Sequence, residues 1–76
     1  DIAEKTVSAE GDTIWLPKLL LQAELVKSTS DGRRMVKQNA VSVDGEKVSD
    51  VNAEIPVSGE VLLKVGKRRF CKVLFR

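Results

Sequence analysis

The side chains able to do chemistry in this 76-residue chain are mostly cations, thirteen Lys and Arg against eleven carboxylates, with no histidine. They are unevenly spread. Residues 1–12 hold four acids and one Lys, for a net charge of −3, whereas residues 13–76 carry a net +5. From Val61 to Arg76 six cations (Lys64, Lys67, Arg68, Arg69, Lys72 and Arg76) stand without a single acid. A second group, Arg33, Arg34 and Lys37, lies close together in mid-chain. Concentrated fixed charge raises the local potential and attracts a polyanion, although a solvated charged face is the plainer reading of one such run by itself. Two separate groups suit phosphate contact, and four to six contacts predict a log–log salt slope of roughly −3 to −5. The aromatic share of 4% leaves little for base stacking and favours recognition of RNA backbone and shape.

Catalysis finds almost no foothold. General acid–base work and nucleophilic triads want a histidine or a paired carboxylate beside the reacting group. Asp44 and Glu46 belong to a hairpin pattern, Asp31 to a helix cap, and the other carboxylates are scattered. Gly66-Lys67 lacks the preceding glycine and the following Ser or Thr of a phosphate loop, and reads as a turn. The single Cys71 excludes an internal disulfide, points to a reducing compartment and reads as a small core or edge residue. Without histidine, zinc-finger ligation is excluded too. No catalytic site, metal or cofactor is expected in these residues. No apolar run approaches the ~18 to 20 residues of a membrane span, and the opening Asp1-Ile2-Ala3-Glu4 has no signal-peptide pattern. The expectation is a cytoplasmic module with no membrane partner.

The elements that must position the cations follow from local pattern. Leu, Ile, Val and Phe supply 24 of the 76 residues, enough for one small core. Residues 1–12 show no sustained period and end in Gly11-Asp12, so they read as a linker or tail from a preceding domain, with one domain over residues 13–76. Leu16, Leu19, Leu20 and Ala23 fall on one helical face, and Pro17 suits the first turn, predicting a helix over 17–23. Ser28-Thr29-Ser30-Asp31 is a capping box that starts a second helix running to about Gln38. Gly32, Met35 and Val36 share its inner arc, with Gly32 allowing close approach to the first helix, and Arg33, Arg34 and Lys37 take the outer arc. Val41-Ser42-Val43, Asp44-Gly45 and Glu46-Lys47-Val48 form a tight hairpin. Ile55-Pro56-Val57 is extended at most as an edge, and Val61–Val65 and Arg68–Phe75 are two strands around Gly66-Lys67. In the last strand Phe70 and Leu74 share one face, Cys71, Val73 and Phe75 the other, and the pattern leaves open which is buried. The fold class is therefore α+β, a helix hairpin packed on a small, mostly antiparallel sheet.

The order of Leu16-Pro17-Lys18-Leu19-Leu20, Val26-Lys27-Ser28-Thr29-Ser30, Arg33-Arg34-Met35-Val36-Lys37-Gln38 and Val41-Ser42-Val43-Asp44-Gly45-Glu46-Lys47 resembles the ribosomal protein S-four-like RNA-binding domain, with its αL motif. The closing Val65-Gly66-Lys67-Arg68-Arg69-Phe70 resembles, more narrowly, the carboxy-terminal domain of bacterial tyrosyl-tRNA synthetases. That resemblance implies a module holding tyrosine-specific tRNA by its long variable arm and anticodon stem side. A separate domain of a homodimeric parent would activate tyrosine with ATP and Mg. The αL-motif positions it implies for phosphate and sugar contact are Lys27, Ser28, Ser30, Arg33, Arg34 and Lys37, and the terminal hairpin adds Lys67, Arg68 and Arg69. Three positions depart from the family pattern. Gly32 replaces Ala, at about 1 kcal/mol of helix propensity unless packing uses it. Glu24 and Asn39 replace Gly at helix ends, so that at Glu24 either a side-chain-bearing residue takes positive φ or the helix ends differently.

Two other functions compete. The same domain type could serve another structured RNA, in an rRNA pseudouridine synthase or a ribosome-associated heat-shock protein. A protein-interaction domain, of a different class, would use Trp15, Leu21 and the second apolar face of the last strand.

Overall fold

The computed structural model describes residues 2–76. Its elements run β1 (Ala3–Val7), β2 (Thr13–Trp15), α1 (Leu16–Gln22), α2 (Thr29–Lys37), β3 (Val41–Val43), β4 (Glu46–Lys47), β5 (Glu54–Pro56), β6 (Glu60–Val65) and β7 (Arg69–Phe75). The fold is α+β: two helices and a five-stranded sheet in the order β1-β7-β6-β3-β4, antiparallel except for β1 beside β7, with β2 and β5 paired separately. No helix among the described residues is long and apolar enough to cross a membrane.

The helices form where capping and apolar spacing place them. Ser28 caps α2, its Oγ accepting the Asp31 N–H at 3.0 Å. The Asp31 carboxylate reaches back one residue further than a standard capping box, to the Lys27 N–H at 3.4 Å. Both helices end in a Schellman motif. Leu25 N–H donates to the Leu20 carbonyl and Glu24 N–H to that of Leu21, each at 3.0 Å, while Ala40 and Asn39 repeat the pattern on Met35 and Val36. Such an end needs a left-handed residue, and Glu24 (φ 62°) and Asn39 (φ 61°) take that conformation where glycine is usual.

The two helices meet at Gly32. A Cβ there would lie 3.2 Å from the Cα and carbonyl oxygen of the fully buried Pro17. The helix-propensity cost of glycine is thus exchanged for close packing. Gly32→Val should force α1 and α2 apart and lower unfolding free energy by about 2 kcal/mol, with Gly32→Ala losing less because helix propensity offsets the contact. Chemical denaturation of the two variants checks this, and a Val variant as stable as the parent would show that the helices separate freely.

The core lies between the helices and one face of the sheet. Leu16, Leu19, Leu20 and Val36 are fully buried against Val41, Leu63, Cys71 and Val73. The cross-strand register decides the face of β7 that sequence pattern left open. Val61 pairs with Val73 and Leu63 with Cys71, so Cys71 and Val73 point inward, whereas Phe70, Lys72 and Leu74 stand on the outer face opposite Lys64, Leu62 and Glu60. Asp44 (φ 52°) and Gly45 (φ 89°) make the primed turn of the β3–β4 hairpin.

Residues 1–12 are not a linker throughout. Ala3–Val7 is a strand of the main sheet, paired in parallel with β7 from Ala3 opposite Cys71 to Val7 opposite Phe75, and Val7 is buried in the core. By alternation Lys5 shares the inward parity of Ala3 and Val7 while Glu4 and Thr6 take the outer one, and Val7 alone of the five is buried, so the strand carries little hydrophobic period. Its partner lies at the opposite end of the chain, beyond the reach of local pattern. Trp15, expected as a partner contact in the protein-interaction reading, is half-buried and donates its indole N–H to the Val51 carbonyl at 2.8 Å. Leu21, named in the same reading, is exposed at 36%.

Candidate nucleic-acid interface

The candidate cations gather around α2. On its outer side Arg33, Arg34 and Lys37, with Ser30, line a shallow depression closed by Ser49, Asp50 and Val51. All four α2 residues are exposed. Arg34 is ion-paired with Asp31 one turn earlier, an exposed i,i+3 pair of the kind worth a few tenths of a kcal/mol, so a phosphate can compete for it. Arg33 and Lys37 have no ion-pair partner among the described residues. Lys27 and Ser28 are exposed just before the helix, and Ser28 is committed to the cap through its hydroxyl.

The terminal hairpin is fastened at two points, to the connector between the helices and just past the end of α2. Arg69 has the same strand parity as Cys71 and Val73, so it faces the helices, and its guanidinium donates to the Leu25 carbonyl at 2.9 Å in the helix–helix connector. Gly66 N–H donates to the Ala40 carbonyl at 2.7 Å, just past the end of α2. Lys67 and Arg68 are exposed in the turn, and Lys67 lines a depression with Gln38 and Asn39. The α2 cations and Lys67 thus line two separate depressions, one on the outer side of α2 and one past its end.

Two lysines in that border region lie outside the set that motif resemblance picks. Lys47 on β4 and Lys64 on β6 line the depression with Lys67. Their signal is partly legible: the Asp44-Gly45 turn puts Lys47 opposite Ser42, but the pairing of Ser42 with Lys64 across β3 and β6 is long-range.

Other chemistry is sparse. Burial pushes the Cys71 thiol above its ordinary pKa, so little thiolate forms at neutral pH. Lys5 and Glu24 are ion-paired, which raises the one and lowers the other, but both groups are exposed and the pair ties β1 to the connector only loosely. Among the described residues no group of three or more metal-ligating side chains occurs.

Comparison with known proteins identifies the family. The family model of the Tyrosine--tRNA ligase SYY-like C-terminal domain matches residues 2–73, a span that includes β1. The chain is 63% identical over 75 residues to the tyrosine–tRNA ligase of Desulfotalea psychrophila, covering 99% of this chain and 18% of that protein. It is 45% identical over 76 residues to that of Geobacter metallireducens (100% and 19%) and 43% identical over 75 residues to that of Syntrophotalea carbinolica (99% and 18%). The chain thus spans under a fifth of the length of these relatives. On the match across nearly its whole length, the chain belongs to the tyrosine–tRNA ligase SYY-like C-terminal domain family.

Proposed function

We propose that this chain is the tRNA-binding part of a tyrosine–tRNA ligase, gripping the backbone of its tRNA along the border of α2. The supporting observation is the double attachment of the terminal hairpin, through Arg69 to Leu25 and Gly66 to Ala40, which brings the hairpin next to the connector and the end of α2. In this reading the helix pair and connector act as an αL motif. Arg33 and Lys37 meet phosphates directly, Arg34 does so by leaving Asp31, and Lys67 and Arg68 extend the contact along the strand of RNA. Arg69 divides its guanidinium between the connector and the RNA, Lys27 adds charge at the start of the helix, and Ser28 and Ser30 give hydroxyls for sugar or phosphate oxygens. Tyrosine activation with ATP and Mg belongs to a separate domain of a homodimeric parent, and the family match displaces the pseudouridine-synthase and heat-shock alternatives.

Binding of the chain to a tyrosine tRNA transcript and to an unrelated duplex of equal length, each at several salt concentrations, tests the reading. The expected result is tighter binding to the tRNA, with a log–log salt slope of about −3 to −5. Equal affinity for both RNAs, or affinity indifferent to salt, would overturn it.

A further inference from the structure

The depression past the end of α2 has the composition of an anion seat. Lys47, Lys64 and Lys67 come from β4, β6 and the β6–β7 turn, and Gln38, Asn39 and Ser42 line the same space. Ser42 lies between the two strand lysines, opposite Lys47 on one side and Lys64 on the other, so Lys47, Ser42 and Lys64 make one row across three strands on the outer face of the sheet. No acid lines this depression, and none of the three lysines has an ion-pair partner among the described residues. Neighbouring acids are directed elsewhere. Asp44 accepts the Leu62 N–H at 2.9 Å, and Glu46, opposite Val43, falls on the other face by alternation. The Lys64 ammonium lies 5.3 Å from the centroid of the Phe70 ring, which holds that long side chain over the sheet. At the end of α2 the carbonyls of Arg34, Val36 and Met35 accept the N–H groups of Gln38, Asn39 and Ala40.

Three cations without an acid partner, beside a hydroxyl and two amides, offer the donors that a phosphate oxyanion accepts from. We propose that Lys47, Lys64 and Lys67 form a second phosphate seat, into which the RNA backbone continues from the α2 border onto the outer face of the sheet. The inference rests on the RNA-binding reading and extends it, because it gives the RNA a path around the end of α2 rather than along the helix alone. Asn39 and Ser42 supply neutral hydrogen bonds beside the charges.

The test compares three double variants of the chain, K47Q/K64Q, R33Q/R34Q and the equal-charge control K18Q/R76Q, whose cations lie on α1 and at the far end of β7, by tRNA binding across a salt series. If the seat is used, K47Q/K64Q weakens binding about tenfold at low salt and makes the salt slope shallower by about 1 to 2, with the control changing far less. Loss in the control equal to that in K47Q/K64Q would reduce the effect to net charge and overturn the seat. Unchanged binding by K47Q/K64Q beside clear loss by R33Q/R34Q would also overturn it, leaving the RNA-binding reading intact. No change in any variant would remove both.

Discussion

Deleting residues 1–8 should lower the unfolding free energy by about 3 kcal/mol, a large part of the ~4 to 11 kcal/mol expected for a domain of this size. The ladder between β1 and β7 contributes little to that figure. Each hydrogen bond is worth about 1 kcal/mol net, and freeing each strand residue returns about 1 to 2 kcal/mol of backbone entropy. What is lost is apolar burial. Val7 sits in the core, and with β1 gone Cys71, Val73 and Phe75 lie along an open edge. Thermal unfolding should shift down by about 12 to 24 °C. The bared β7 edge should also promote self-association, visible by sedimentation. A truncated chain melting at the parental temperature would mean that the segment is a dispensable tail.

Reversing two charges on α2 should have the largest effect on binding. Arg33→Glu with Arg34→Glu exchanges two attractive contacts for two repulsive ones on the outer face of the helix, and tRNA affinity at low salt should fall about 100-fold, or about 2.7 kcal/mol. The fold should survive. Both residues are exposed, and the Arg34–Asp31 pair that is broken belongs to a class worth a few tenths of a kcal/mol. Circular dichroism with a nearly unchanged melting point, together with the loss of binding, identifies an electrostatic defect. Retained affinity in a folded double variant would place the RNA elsewhere on the molecule.

Features with local causes were readable from the residues. The Ser28 cap, the primed turn at Asp44-Gly45 and the strands flanking Gly66-Lys67 each depend on residues a few positions apart. Glu24 and Asn39 could be singled out for the same reason, since a helix end of this type requires a left-handed residue at one position. Features set by distant partners were not readable. β1 carries a weak period because its inward parity holds Lys5 and the exposed Ala3 beside Val7, and only its pairing with β7 makes it part of the sheet. The inward face of β7 depends on register with β6, not on its own sequence, in which both faces are apolar. In the candidate interface, the helix cations and terminal turn could be chosen from motif and charge. Their meeting around α2, and the place of Lys47 and Lys64 beside them, depend on contacts such as Gly66 to Ala40 and Ser42 to Lys64.

The union of the first strand with the last also bears on biosynthesis. Because Ala3–Val7 hydrogen-bonds to Cys71–Phe75, the sheet has no complete edge until nearly the entire segment has emerged from the exit tunnel. Helices α1 and α2 have only short-range closures to make and can form early, but maturation of the sheet waits for its final residues. A translational pause just before Arg69 would leave the first strand unpaired, a window in which nascent chains could be captured by chaperones.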